Sequence, residues 1–292
     1  MVSIEQVGDI RCTVGESPLW HAAQAAWYWV DIVAKRIWRL DHASGATRSW
    51  QTEEQVACLA VRADGGFIAG MESGIFALEL DEDGVRARKL GAPAEGELVA
   101  GMRFNDGRCD RQGRFWSGTM EMSGKPVGQL YRCDAQAGLT GPYVSELVTQ
   151  NGLAFSPDGA TMYLSDSHPS RRMVWVYDYD IAAGTPHNRR VFADMRDLKG
   201  RPDGAAIDTD GCYWICGNDG GVLLRYTPAG VLDREIRVPM AKPSMCSFGG
   251  PDLDTLLVAS ISAGAPEGDT EAGAVVLVRP GVRGVAETPY AL

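Results

Sequence analysis

The stretch GLAFSPDGATMYLSDS (152–167), followed by MVWVYDYDIAAG (173–184), decides the fold. An apolar run meets a Ser-Pro-Asp-Gly turn, and an aromatic and aliphatic run follows. A polar loop then leads to a third run that ends in Asp and Gly. Short alternating runs rich in aromatic and β-branched residues, each bounded by Gly, Asp or Pro, read as strands rather than helix. The unit returns as LAVRADGGFIAG (59–70) with GIFALELDEDG (74–84), and as DGRCDRQGRFWSGTM (106–120) with GQLYRCDAQAG (128–138). It appears again as GAAIDTDGCYWICG (204–217) with LLRYTPAG (223–230). Looser copies stand at 17–45 and 246–281.

Comparable points near the start of each inner strand are Glu16, Leu59, Asn105, Asn151, Asp203 and Ser244, separated by 43, 46, 46, 52 and 41 residues. Six units of about 40–50 residues, each of three or four strands, fit a β-propeller. The expected fold is therefore all-β: a six-bladed β-propeller, with one domain over 1–292. The leftover segments IEQVGDI (4–10) and VAETPY (285–290) are expected to share the blade that closes the ring.

Composition agrees with that reading and excludes other classes. Thirty-five glycines and eight tryptophans suit tight turns between flat sheets. A formal net charge of −10 argues against a nucleic-acid partner, which needs clustered Lys and Arg. No long apolar stretch or basic leader points to a membrane or an export signal, so a cytoplasmic protein is expected. The seven cysteines lack metal-ligand spacing and read as reduced core thiols. The sequence does not indicate an oligomeric state.

In a propeller the inner strands begin around one mouth of the channel, so residues far apart in the chain converge there. Asn151-Gly152 and Asp203-Gly204 are also good turn pairs, and each alone would mean only a chain reversal. Glu16, Asn105, Asn151 and Asp203 together supply two carboxylates and two amides at matching phases of four units. Such oxygen donors suit Ca²⁺, Mg²⁺, Mn²⁺ or Zn²⁺. Two carboxylates facing each other would repel unless a cation lay between them. Arg103, two residues before Asn105, points to the same side of an extended segment. Its fork suits the ring oxygens and hydroxyls of a polyol.

These motifs resemble the gluconolactonase/regucalcin-like (senescence-marker-protein) family of sugar lactonases, nearly from end to end. The matching stretches are GESPLW (15–20), RFNDGRCDRQGRFWSGTM (103–120), NGLAFSPDG (151–159), RPDGAAIDTDGCYW (201–214) and SFGG (247–250). The resemblance implies Glu16, Asn151 and Asp203 as ligands of one divalent metal ion, with Asp203 also the general base. It implies Arg103 and Asn105 as substrate-binding residues. Glu121 is carried over as a third, although it stands two residues before the family's position, where this chain has Ser123.

The implied activity is metal-dependent hydrolysis of a sugar (aldono-) lactone to its aldonic acid. The cation would polarise the carbonyl as a Lewis acid. The residues leave open whether Asp203 or the cation activates the attacking water. No G-x-S-x-G elbow or histidine in a triad context offers serine-hydrolase chemistry instead. Two alternatives stay open: a metal-dependent phosphotriester hydrolase, and a non-enzymatic calcium-binding regulatory propeller. The loops at 120–127, 167–172, 218–221 and 262–272 should rim the mouth, with His168 and Arg171 as further candidates for sugar contact.

Overall fold

The computed structural model describes residues 2–291, which form six four-stranded antiparallel sheets. Blades one to five each run in chain order from the inner strand outward, starting at Gly15–His21, Val56–Val61, Met102–Cys109, Gln150–Phe155 and Arg201–Ile207. Blade six starts at Pro243–Gly249 and takes its outermost strand, Ser3–Arg11, from the other end of the chain. Ser3 lies opposite Arg279, so the first strand ties the ring shut. Closure of this kind leaves no gap at the point where the ring begins and ends.

The segment 285–290 does not join that blade, contrary to expectation. It crosses the end of the channel instead. The Val285 amide donates to Ile207 O of blade five, and the Tyr290 amide donates to Val61 O of blade two. Glu287 on the way pairs with the buried Arg108 at 2.9 Å. Proline at 289 and the absence of alternating apolar residues suit a strap over a pore better than a sheet strand.

Apolar burial is divided among the blade interfaces rather than gathered in one centre. Trp116 and Leu130 of blade three pack with Leu153, Phe155 and Met162 of blade four. Tyr28 and Val30 of blade one pack with Leu59 and Phe67 of blade two, and Trp27 and Trp29 pack with Leu257 and Val275 of blade six. Large flat side chains fill the wedge between twisted sheets with few atoms wasted.

The recurring acidic turns lie at the end of the channel away from the strand starts. Asp110 accepts from the amides of Gln112 and Arg114, each at 2.9 Å. Asp208 accepts from the amides of Asp210 and Cys212, from Trp214 Nε1 and from Arg225 Nε. These carboxylates therefore staple strands within a blade.

Candidate functional site at the channel mouth

Every inner strand is bulged near its start. The register against the second strand shifts between Glu16 and Leu19, Val56 and Cys58, Phe104 and Gly107, Asn151 and Ala154, Pro202 and Ala205, and Pro243 and Cys246. A bulge inserts one extra residue and re-aims the neighbouring side chains. Glu16, Asn105, Asn151 and Asp203 all stand in or beside these bulges, which explains why all four face the channel. In blade two the bulge falls at Ala57, two residues before the Leu59 selected by repeat spacing. Ala57 offers no polar group, and in blade six the Ser244 hydroxyl is bonded to Gly15 O.

Gly152 shows why the blade-four bulge needs its glycine. It has φ +60°, and a Cβ there would stand 2.5 Å from Tyr213 Oη and 2.6 Å from Ser165 Oγ. The Tyr213 hydroxyl donates to Gly152 O at 2.8 Å.

The site side chains form one bonded group. Arg103 Nη1 donates to Asn105 Oδ1 at 2.5 Å and to its neighbour's carbonyl, Phe104 O, at 2.8 Å. Asn105 Nδ2 donates to Gln150 O at 2.7 Å and to Asn151 Oδ1 at 3.2 Å. Asn151 Nδ2 donates to Ser167 Oγ at 2.6 Å. Asn151 Oδ1 thus keeps a lone pair free beside its bond from Asn105. Asn218 Nδ2 donates to Asp203 Oδ2 at 2.6 Å.

Glu16, Asn105, Asn151 and Asp203 are all buried. Burial, then the charges of Asp203 and Asp106, push Glu16 well above the ordinary carboxylate range. Burial pushes Asp203 up to about 7, against the lowering effects of Arg201 and Asn218. Arg103 is lowered by its own burial and opposed by the charge of Glu16. Acids held this far from water, with burial outweighing the charges of Arg103 and Arg201, form a site where a cation would be strongly favoured.

No group of three or more His, Cys, Asp or Glu side chains able to hold a metal occurs among the described residues. A cation here therefore needs an amide oxygen as its third protein donor, and Asn151 supplies one. The donor set of two carboxylates and one amide fits a hard or borderline divalent ion.

Glu121 behaves differently from the other candidates. Its Oε2 accepts from the Ser123 hydroxyl at 2.5 Å and from the Ser123 amide at 2.9 Å. The carboxylate closes a turn in its own rim loop. His168 binds Ser170 Oγ through Nδ1 at 2.8 Å, and its ring borders Gly124 of the blade-three loop.

Asp106, Arg201 and Asn218 were not singled out from the sequence. Asp106 is buried, accepts from the Leu153 amide at 2.8 Å through Oδ2 and leaves Oδ1 without a partner. Its place within RFND is a usable signal, and Asn218 opens the 218–221 loop expected at the rim.

The site lies at one end of the channel. At the other, a cavity of about 370 Å³ is lined by Leu19, Trp20, Leu59, Met245 and the strap residues Glu287 and Pro289. It is largely apolar and contains none of the four buried channel-mouth side chains.

Residues 14–262 match the family model described as the SMP-30/Gluconolactonase/LRE-like region. The chain belongs to this family. It is 38% identical to a 6-deoxy-6-sulfogluconolactonase of Pseudomonas putida, over 97% of this chain and 98% of the relative. It is 33% identical to a regucalcin of Danio rerio, over 99% of this chain and 98% of the relative. A solved luciferin-regenerating enzyme superposes with a TM-score of 0.90 at 26% identity, covering both chains completely.

Proposed function

Taking that family membership as the premise, we propose that this protein hydrolyses a sugar (aldono-) lactone to its aldonic acid. It would do so with one divalent cation held by Glu16, Asn151 and Asp203 in a single propeller domain spanning 1–292. The reading rests above all on one observation: two buried carboxylates face the same channel mouth as an amide oxygen and the Arg103–Asn105 pair. The sulfogluconolactonase relative supports the reaction class, and the regucalcin relative supports the family context in which the site is read. No helix among the described residues is long and apolar enough to cross a bilayer.

A divalent ion held by Glu16, Asn151 and Asp203 would supply Lewis-acid polarisation of the lactone carbonyl. The protein's own groups do the rest. Arg103, steadied by Asn105 and Phe104 O, presents its remaining N–H groups to the ring oxygen and hydroxyls. Asp203 is buried and held in one orientation by Asn218, so it can take the proton of the attacking water. Burial at the mouth lowers competition from bulk water for these hydrogen bonds. The arginine and amide lining favours a polyol over an apolar phosphotriester.

The test uses the intact protein after chelator treatment. Acid release is followed from a panel of five- and six-membered aldonolactones, with Ca²⁺, Zn²⁺, Mn²⁺ or Mg²⁺ restored singly. Turnover on at least one lactone that returns with a cation is expected. Equal turnover with and without chelator would remove the metal from the reading, and no turnover on any lactone would remove the reaction.

A further inference from the structure

The two ligands proposed on blades four and five are joined behind the site by one arginine. Arg201 opens the inner strand of blade five, two residues before Asp203. Its Nε donates to Asp219 Oδ2 at 2.6 Å and its Nη2 to Asn218 Oδ1 at 3.3 Å. Its Nη1 crosses to blade four and donates to Ser167 O at 3.2 Å. Both acceptors nearest the channel are themselves partners of ligands. Asn218 donates through Nδ2 to Asp203 Oδ2, and Ser167 accepts through Oγ from Asn151 Nδ2. Asn218 and Ser167 are almost completely buried, so neither can trade these bonds for water.

We propose that Arg201 is a positioning residue that locks Asn151 and Asp203 into one preformed cation site across the seam between blades four and five. The inference rests on the cation site proposed above. Its physical basis is the planar fork of the guanidinium, which satisfies three acceptors in fixed directions at once. Asp219 holds the outer edge of the fork, and the two inner nitrogens set the relative placement of Asn218 and Ser167. Partners behind the ligands fix ligand orientation, and their loss costs roughly 10–100-fold in metal affinity in other sites.

The alternative is that Arg201 acts only through its charge, and the two ideas differ in sign. A positive charge near a cation site repels the cation, so a purely electrostatic Arg201 weakens binding and its removal strengthens it. A clamp does the reverse. Lysine separates the cases further, because it keeps the charge and lacks the fork.

The experiment measures binding of Mn²⁺ and Ca²⁺ to chelator-treated wild type, Arg201→Leu and Arg201→Lys by calorimetry, beside the melting temperature of each metal-free protein. Arg201→Leu is expected to bind about tenfold more weakly. Arg201→Lys is expected to weaken binding in the same direction, with metal-free melting within about 2 °C of wild type for Arg201→Lys and lowered by a few degrees for Arg201→Leu, which leaves two buried acceptors unpaired. Unchanged or tighter binding by Arg201→Leu overturns the clamp, as does weaker binding matched by a large fall in metal-free melting. Should Arg201→Leu fail to fold, Arg201→Lys carries the test, and wild-type affinity in it overturns the proposal. A wild type that binds neither ion removes the cation site and the clamp together. Binding by wild type that Arg201→Leu equals removes the clamp alone.

Discussion

Replacing Gly152 by alanine tests whether the bulge that aims Asn151 depends on the close packing around it. The residue sits at φ +60°, where an L side chain costs about 1–2 kcal/mol. Its new Cβ would also stand 2.5 Å from Tyr213 Oη and 2.6 Å from Ser165 Oγ, both in fully buried residues. Relieving such overlap in a packed core costs about 1–3 kcal/mol. The sum is about 2–5 kcal/mol of lost stability. Gly138 provides the control, since it has φ +69° at the strand start that closes a hairpin and an added Cβ would meet nothing within 4 Å. Gly138→Ala should therefore show the backbone cost alone, about 1–2 kcal/mol. Urea unfolding of the two variants against wild type, in chelator, reads the difference directly. A Gly152→Ala protein no less stable than Gly138→Ala would refute the packing account. The same variant should bind divalent cations more weakly, because relieving the overlap displaces the Asn151–Gly152 segment that aims Asn151.

Three further outcomes are expected. Glu16→Gln removes one of the two carboxylates proposed to hold the cation and should weaken divalent-cation binding at least about tenfold, read as metal content after gel filtration. Burial raises Asp203 in the folded protein to about 7 from an ordinary 3.8, so the folded state keeps a proton that the unfolded chain has already lost. Metal-free stability should accordingly be highest below pH 4 from this group and fall as pH rises from about 4 to about 7. Asp203→Asn should flatten part of that slope in pH-dependent urea midpoints while abolishing turnover. Glu287→Ala leaves Arg108 buried with Ala205 O as a remaining partner, at 2.6 Å. It should cost about 1–3 kcal/mol in denaturant titration and leave lactone turnover unchanged.

The six blades were legible in the chain because every unit repeats the same local physics. Each has an alternating strand, a turn built by Asp, Gly or Pro, and an aromatic strand, and those signals need no knowledge of distant residues. Asp110 and Asp208 belong to this readable layer, since they bond to amides two and four residues away. The phase of the repeat also selected Glu16, Asn105, Asn151 and Asp203, whose burial around one channel mouth follows from ring closure.

What the tertiary structure alone decided lies in strand register, side-chain direction and contacts between blades. The bulge in blade two falls at Ala57 rather than Leu59 because register is set by pairing with the second strand, which spacing along the chain does not specify. Glu121 accepts from Ser123 in its own rim loop, a side-chain direction that spacing along the chain does not specify. The segment 285–290 spans the channel because its partners, Ile207 and Val61, are brought to the same face only when the ring closes. Arg201 reaches Ser167 across 34 residues of sequence for the same reason. Strand and turn are properties of neighbouring residues, whereas the support of a site is a property of the seams between blades.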